Sequence, residues 1–165
     1  MEPTKYQINT HKHKIIYTKR MTNECYNRLT IIGPEEDLHE IYMNRLDFDY
    51  YVPMPQNSNN PDKWCIDNWG TQWVANPDTI QFELSANWLQ IRFETSWSAP
   101  YVFLEKLLDI YPNCWIKNES ISDDYRANIY ILYKKDGIRK EKILVWNEPE
   151  PRLTIHGEIY VPEED

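Results

Sequence analysis

The stretch Ile80-Gln81-Phe82-Glu83-Leu84-Ser85-Ala86-Asn87-Trp88-Leu89-Gln90-Ile91-Arg92-Phe93-Glu94 alternates apolar and polar residues on both sides of a turn-like Ser85-Ala86-Asn87. Successive side chains point to opposite faces of a strand. Ile80, Phe82 and Leu84 therefore join Leu89, Ile91 and Phe93 on one apolar face when the two runs pair as an antiparallel hairpin. The other face displays Gln81, Glu83, Gln90, Arg92 and Glu94.

Upstream of this hairpin, Cys25-Tyr26-Asn27-Arg28-Leu29-Thr30-Ile31-Ile32 is a β-rich run stopped by Gly33-Pro34. Pro34 suits the first turn of a helix, Glu35, Glu36 and Asp37 suit its positive N-terminal end, and Leu38, Ile41 and Tyr42 keep helical spacing that can extend to Arg45-Leu46. Downstream, Ser98-Ala99-Pro100 reads as an N-cap and early helix. The stripe Val102, Phe103, Leu107, Leu108 and Ile110 carries that helix to a stop before Pro112. Cys114-Trp115-Ile116-Lys117 opens a strand that weakens into the polar residues 118–124. The runs 128–133 and 140–146 flank Asp136-Gly137, a strong hairpin signal, and residues 153–161 hold a last strand. The order βαββαβ is the ferredoxin-like pattern. The expectation is one α+β ferredoxin-like domain over residues 25–165, with a long insertion after the first helix and an extra C-terminal β-hairpin. A basic N-terminal arm over residues 1–24 precedes it and is free to pair with a sheet edge. No repeat of 20 to 50 residues occurs, which excludes solenoids.

The insertion, residues 47–78, gathers prolines and asparagines between Pro53 and Pro61, then Trp64, Trp69 and Trp73. It reads as a long irregular loop, and its tryptophans argue against disorder. The segment Trp64-Cys65-Ile66-Asp67-Asn68-Trp69-Gly70-Thr71-Gln72-Trp73-Val74-Ala75, followed by Phe93-Glu94-Thr95-Ser96-Trp97-Ser98-Ala99-Pro100, resembles the signature of the YubB family of phage and plasmid proteins. In that family an N-W-G-T-K-W-x-A block precedes a hairpin, and an F-x-T-A-W-x-P-P-like block ends its second strand before a helix. The resemblance spans residues 25–133. Gln72 stands where lysine is usual, Ser96 where alanine is usual and Ala99 where proline is usual. The family's Gly- and aromatic-rich stretch after the last core strand is not evident between Tyr133 and Trp146. The resemblance implies the ferredoxin-like fold and a viral or mobile-element setting, and it implies no catalytic mechanism.

With 165 residues, 41% hydrophobic and 14% aromatic, the chain can bury one substantial core. Its longest apolar runs fall far short of the roughly 20 residues that cross a bilayer. Residues 1–7 lack the apolar segment of roughly 7 to 15 residues that marks a secretory signal, so a cytoplasmic protein, in the host cytoplasm if viral, with no membrane partner, is expected. Cys25, Cys65 and Cys114 are odd in number and widely spaced, encoding neither a disulfide framework nor a zinc cage. The net charge of −8 opposes general nucleic-acid binding. In the first twenty residues, however, five cations face Glu2 alone, giving +4 there and −12 over the remainder. Lys134, Lys135, Arg139, Lys140 and Lys142 form a basic hairpin tip, read as a charged edge that resists strand pairing or as a contact for an anionic partner or the acidic Glu163-Glu164-Asp165.

Trp64, Asn68, Trp69, Gly70, Thr71, Trp73, Arg92 and Trp97 are the candidate ligand-binding residues. The indoles offer flat apolar area for a base or sugar, Asn and Thr can read its edge, and an arginine can hold a phosphate or carboxylate bidentately. The plainer reading is that the tryptophans fasten the loop over the sheet. Glu83, Arg92 and Glu94 are a weaker acid/base set, since outward sheet residues are more often solvated. His11 and His13 lack a third ligand, His39 and His156 stand alone, and Cys65 has no identifiable base. No metal, cofactor or catalytic residue is assigned. The outward hairpin positions Gln81, Glu83, Gln90 and Glu94 lack the aromatics of ferredoxin-like RNA readers, so tight single-stranded RNA binding is not expected. The leading reading is a non-enzymatic binding protein of viral or mobile-element type with a Trp-lined pocket for a small polar, nucleotide-like ligand. An acidic protein that docks on a host protein and a small-substrate enzyme are the alternatives.

Overall fold

The computed structural model describes residues 6–10, 13–17, 23–122, 127–146, 152–153 and 159–160. In chain order these form β1 (Tyr6–Thr10), β2 (His13–Tyr17), β3 (Glu24–Ile32), α1 (Glu35–Met43), α2 (Phe48–Tyr51), α3 (Pro61–Trp69), β4 (Gln81–Leu84), β5 (Trp88–Ser96), α4 (Tyr101–Ile110), β6 (Trp115–Ser122), β7 (Ala127–Lys135), β8 (Ile138–Trp146), β9 (Arg152–Leu153) and β10 (Ile159–Tyr160). The architecture is mixed α and β: a six-stranded antiparallel open sheet in the order β4-β5-β3-β6-β7-β8, with short helices. β1 pairs with β2, and β9 with β10, as separate two-stranded ribbons. The basic arm thus pairs within itself, and the expected last strand is two short ones.

Strand parity sorts the sheet. Leu29 and Ile31 on β3, Leu89, Ile91 and Phe93 on β5, Ile116 on β6 and Tyr130 and Leu132 on β7 are buried. They join Leu38 and Ile41 of α1 and Phe103, Leu104, Leu107 and Leu108 of α4 in one core. Full burial of such side chains stabilises by about 1.5–3 kcal/mol each. The alternate residues form the opposite face, and the hairpin over residues 80–94 pairs as its alternation requires, except that Leu84 beside the turn stays 38% exposed instead of joining the core.

Three local outcomes differ from expectation. α1 stops at Met43 because Arg45 (φ 55°) and Leu46 (φ 54°) turn left-handed. Leu46 drops into the core and the Arg45 guanidinium lies 4.8 Å from the Phe82 ring centroid. The supposedly irregular insertion contains α2 and α3; α3 starts as its sequence allows, with the Asn60 side chain accepting from Lys63 N, Pro61 in the first turn, and Gly70 closing the helix at φ 79°. β6 continues to Ser122 although Asn118 and Ser120 sit at core-facing positions. These two hide the strand in the sequence, and hydrogen bonding offsets part of the cost of burying Asn118: its Nδ2 donates to Asn27 Oδ1 (3.0 Å), and Asn27 Nδ2 to Thr95 Oγ1 (2.9 Å), while Asn118 Oδ1 is buried without a partner among the described residues. The Asp136-Gly137 turn has both residues at positive φ, 54° and 73°, as a tight hairpin demands.

Candidate functional site

The two aromatic blocks of the sequence meet in space. α3 ends in Trp69-Gly70, and β5 runs into Trp97-Ser98 before α4 begins. Ser98 Oγ donates to Gly70 O (2.7 Å) and Thr95 Oγ1 to Ser98 O (2.8 Å), so the end of α3, the end of β5 and the start of α4 are tied together. Ser98 does not cap α4, whose N-cap residue Pro100 has no side-chain cap. A Cβ built on Gly70 would lie 3.2 Å from both Tyr101 N and Val102 N, so only glycine allows this approach at that backbone geometry.

Within this junction the eight candidate residues do different things. Trp69 is fully buried, donates from Nε1 to Val52 O (3.0 Å), and meets Phe48 and Trp64 edge to face. Thr71 is buried and donates to Trp73 O (2.6 Å). Neither can touch a ligand in this conformation; burial and a satisfied polar atom make them supports, which corrects the expectation for both. Gly70 serves the approach of α3 to α4. Trp64 is half-buried against the core, and Asn68 is occupied on both sides, donating to Trp64 O (3.0 Å) and accepting from Lys106 Nζ (2.9 Å). Trp73 is half-buried. Arg92 lies on the opposite face of the sheet, because its neighbours Ile91 and Phe93 point into the core. The expected convergence of an arginine on the tryptophans is therefore not formed.

Trp97 is different. It is 60% exposed and sits at φ 67°, a region that costs an L-residue roughly 1–2 kcal/mol. Its amide donates to Asn23 O (2.9 Å), and Asn23 is itself at φ 85°. The strained pair is held by the end of the β3–β5 ladder and by the Thr95–Ser98 hydrogen bond.

The acid/base set also comes apart. Glu83 pairs across the ladder with Gln90, whereas Glu94 lies beyond the end of β4, where its amide donates to Thr79 Oγ1 (2.9 Å). Four residues of strand separate Gln90 from Glu94, roughly 14 Å at 3.4 Å per residue, so the two carboxylates do not face each other. A shallow cleft of about 120 Å³ lies between Gln81, Phe82, Glu83, Gln90 and Arg92. One ion pair on this face joins Arg28 to Glu119, the guanidinium Nε and Nη2 donating to the carboxylate at 2.7 and 2.9 Å, with Lys117 Nζ 3.5 Å from the same group. Burial pushes the Glu119 carboxyl up, but the Arg28 guanidinium and Lys117 outweigh it and hold the carboxyl below its usual range.

Cys65 and Cys114 are poor nucleophiles. Burial, reinforced by Asp62 and Asp49, pushes the Cys65 thiol up to about 11, and burial with Asp37 pushes Cys114 up to about 12. All three cysteines are buried and none forms a disulfide. Among the described residues no group of three or more His, Cys, Asp or Glu side chains could hold a metal ion, and His39 is exposed. His11, His156 and residues 163–165 lie outside the described residues. No helix among those described is long and apolar enough to cross a membrane.

Sequence reasoning missed Trp88, Trp115 and Tyr133. The signal was parity: Trp88 precedes the core residue Leu89 and Trp115 precedes Ile116, so both indoles face away from the helices, with Ile32 and Tyr133 in the same cross-strand row. No protein-family model, curated protein or solved structure matches the chain.

Proposed function

We propose that this chain is a non-enzymatic binding protein in which Trp97 is the contact surface for a small polar, flat-ringed ligand of nucleotide-like chemistry. The observation that carries this is a bare indole held in left-handed backbone: the residue costs stability in its conformation and recovers little by burial. Strain kept by surrounding hydrogen bonds is characteristic of binding and switch positions. Trp69, Gly70 and Thr71 act as the frame that sets Trp97 and the start of α4. The raised thiols and the separated carboxylates support binding rather than covalent or acid/base chemistry. The reading as an acidic host-docking protein draws on the net charge of −8.

We also propose that the domain is ferredoxin-like, as its strand order β4-β5-β3-β6 with helices between β3 and β4 and between β5 and β6 supports. Kinship with the YubB family, and with it a viral or mobile-element setting and a cytoplasmic location, is a proposal resting on the two aromatic blocks, which interlock through Gly70 and Ser98.

The test is a thermal-shift and tryptophan-fluorescence screen of wild type and Trp97→Gly against nucleotides and sugars. A ligand at 100 times its dissociation constant stabilises the folded state by about 2.7 kcal/mol. Wild type is expected to gain that shift and change emission, while Trp97→Gly folds and shows neither. A ligand that stabilises both proteins equally, or a panel that stabilises neither, would remove the reading.

A further inference from the structure

The open face of the sheet sorts its charges unevenly. On the helical side of the β7–β8 hairpin the cations are paired: Lys134 with Asp109 (2.7 Å), and Arg139 with Glu105 (3.0 Å) and Glu141 (3.7 Å). Tyr130 OH, within reach of both Glu105 (3.0 Å) and Glu141 (3.2 Å), ties the hairpin to α4 on that side. On the open side, Lys135, Lys140 and Lys142 are exposed and have no ion-pair partner among the described residues. Lys117 joins them, its charge shared with a Glu119 already held bidentately by Arg28. In a chain of net charge −8, this half of the face is locally positive.

Beside these lysines runs an apolar and aromatic row. Trp88, Ile32, Trp115 and Tyr133 are consecutive cross-strand neighbours on β5, β3, β6 and β7, and Lys140 continues the row on β8. Ile32 is 46% and Tyr133 37% exposed, and the two indoles are half-buried. At about 4.8 Å between strands the three aromatic rings span roughly 14 Å. Stacking surfaces beside unpaired cations match the needs of single-stranded nucleic acid: bases for the rings, phosphates for the lysines.

We propose that this face, over β5, β3, β6, β7 and β8, binds single-stranded nucleic acid without sequence preference and with micromolar affinity. The expectation against nucleic acid came from mean charge and from four polar hairpin positions. The structure adds Trp88, an outward hairpin position left out of those four, the rings of Trp115 and Tyr133 on β6 and β7, and a separated set of cations. The surface lies at the end of β5 opposite Trp97, so the proposal stands independently of the small-ligand reading.

The experiment is fluorescence anisotropy with labelled oligouridine and oligothymidine of about 12 nucleotides, a length within single-strand site sizes, titrated with the full chain across salt concentrations. Three exposed lysines at about 0.7 each predict a slope of log K against log salt near −2, a loss of about 20-fold between 50 and 200 mM. Lys140→Glu with Lys142→Glu should abolish binding, and Tyr133→Val, which keeps a strand-favouring side chain, should weaken it about tenfold, the middle of the stacking range. Lys63→Glu on α3 should leave it unchanged. Circular dichroism and melting identify any variant that has lost its fold, and the exposed lysine pair then decides. Binding of either polymer supports the proposal; tighter oligouridine binding assigns RNA. It is overturned by no binding at about 100 μM protein in low salt, the weak limit of non-specific affinity. Equal affinity for duplex overturns it too, as does binding that ignores the lysine reversals. A dimer dissolved by Tyr133→Val would give the face to a second copy instead.

Discussion

Replacing Gly70 by alanine tests whether the junction between α3 and α4 is held by shape or only by backbone conformation. Two separable costs arise. At φ 79° an alanine occupies left-handed backbone, about 1–2 kcal/mol, partly offset by about 0.4–1 kcal/mol from the narrower unfolded ensemble. The new methyl would also sit 3.2 Å from Tyr101 N and Val102 N, which are backbone and cannot rotate aside. Shifting the start of a packed helix falls in the range of overpacking, about 1–3 kcal/mol. Gly137→Ala isolates the first cost: Gly137 has φ 73°, and a Cβ there meets nothing within 4 Å. The expected losses are about 2–4 kcal/mol for Gly70→Ala and about 1 kcal/mol for Gly137→Ala. At about 2–4 °C per kcal/mol for a chain of this size, Tm falls by roughly 4–16 °C and 2–4 °C respectively. Urea denaturation with unchanged m-values confirms that the native state has lost stability. Equal losses in the two variants would refute the close-approach argument and leave Gly70 as a simple helix C-cap.

Trp69→Ala should cost about 3–5 kcal/mol in urea titration, since it empties a fully buried indole site and removes the donor to Val52 O. Trp97→Gly should instead raise stability, by about 1 kcal/mol in the same titration, as it relieves left-handed strain at an exposed position. Cys65 and Cys114, with thiols pushed up to about 11 and 12, should resist alkylation at neutral pH in the native protein and react once denatured. The Glu119 carboxyl is held below its unfolded value, so its pairing with Arg28 stabilises above the ordinary carboxylate range and is lost as pH falls through the lowered folded value. Wild type should therefore lose more stability than Glu119→Gln between neutral and strongly acid pH, as read by urea titration at each pH.

Where apolar period and burial agree, the sequence was sufficient to place an element. The hairpin over residues 80–94, α4 and the Asp136-Gly137 turn form as their patterns require. The misses have specific causes. β6 was cut short because Asn118 and Ser120 occupy core-facing positions, where the Asn118 amide nitrogen finds its partner in Asn27, on a strand distant in the chain. α3 was hidden by the prolines and asparagines before it, although Asn60-Pro61 and Gly70 are start and stop signals. The candidate ligand residues divide for another reason: being near in sequence does not say which side of a layer a side chain takes. Trp69 and Trp97 both belong to the aromatic blocks, and only tertiary packing sends one into the core and leaves the other in solvent.

That division also explains why the open face carries more weight than a count of exposed apolar residues. Single exposed hydrophobics are ordinary on protein surfaces, whereas a contiguous patch is not. Leu89 and Ile116 must point inward to complete the core, and parity then forces Trp88 and Trp115 outward. Parity dictates direction but not residue type: threonine or valine would suit either position as well in a strand. Two tryptophans and a tyrosine in one row, with unpaired lysines beside them and their paired counterparts on the other side of the same hairpin, are not required by any feature of the core. Neighbouring cross-strand rings such as Trp115 and Tyr133 already stabilise a sheet, by about 0.2–1 kcal/mol per pair; what stability does not supply is the group of unpaired lysines beside them, and it is that combination on which the nucleic-acid proposal rests.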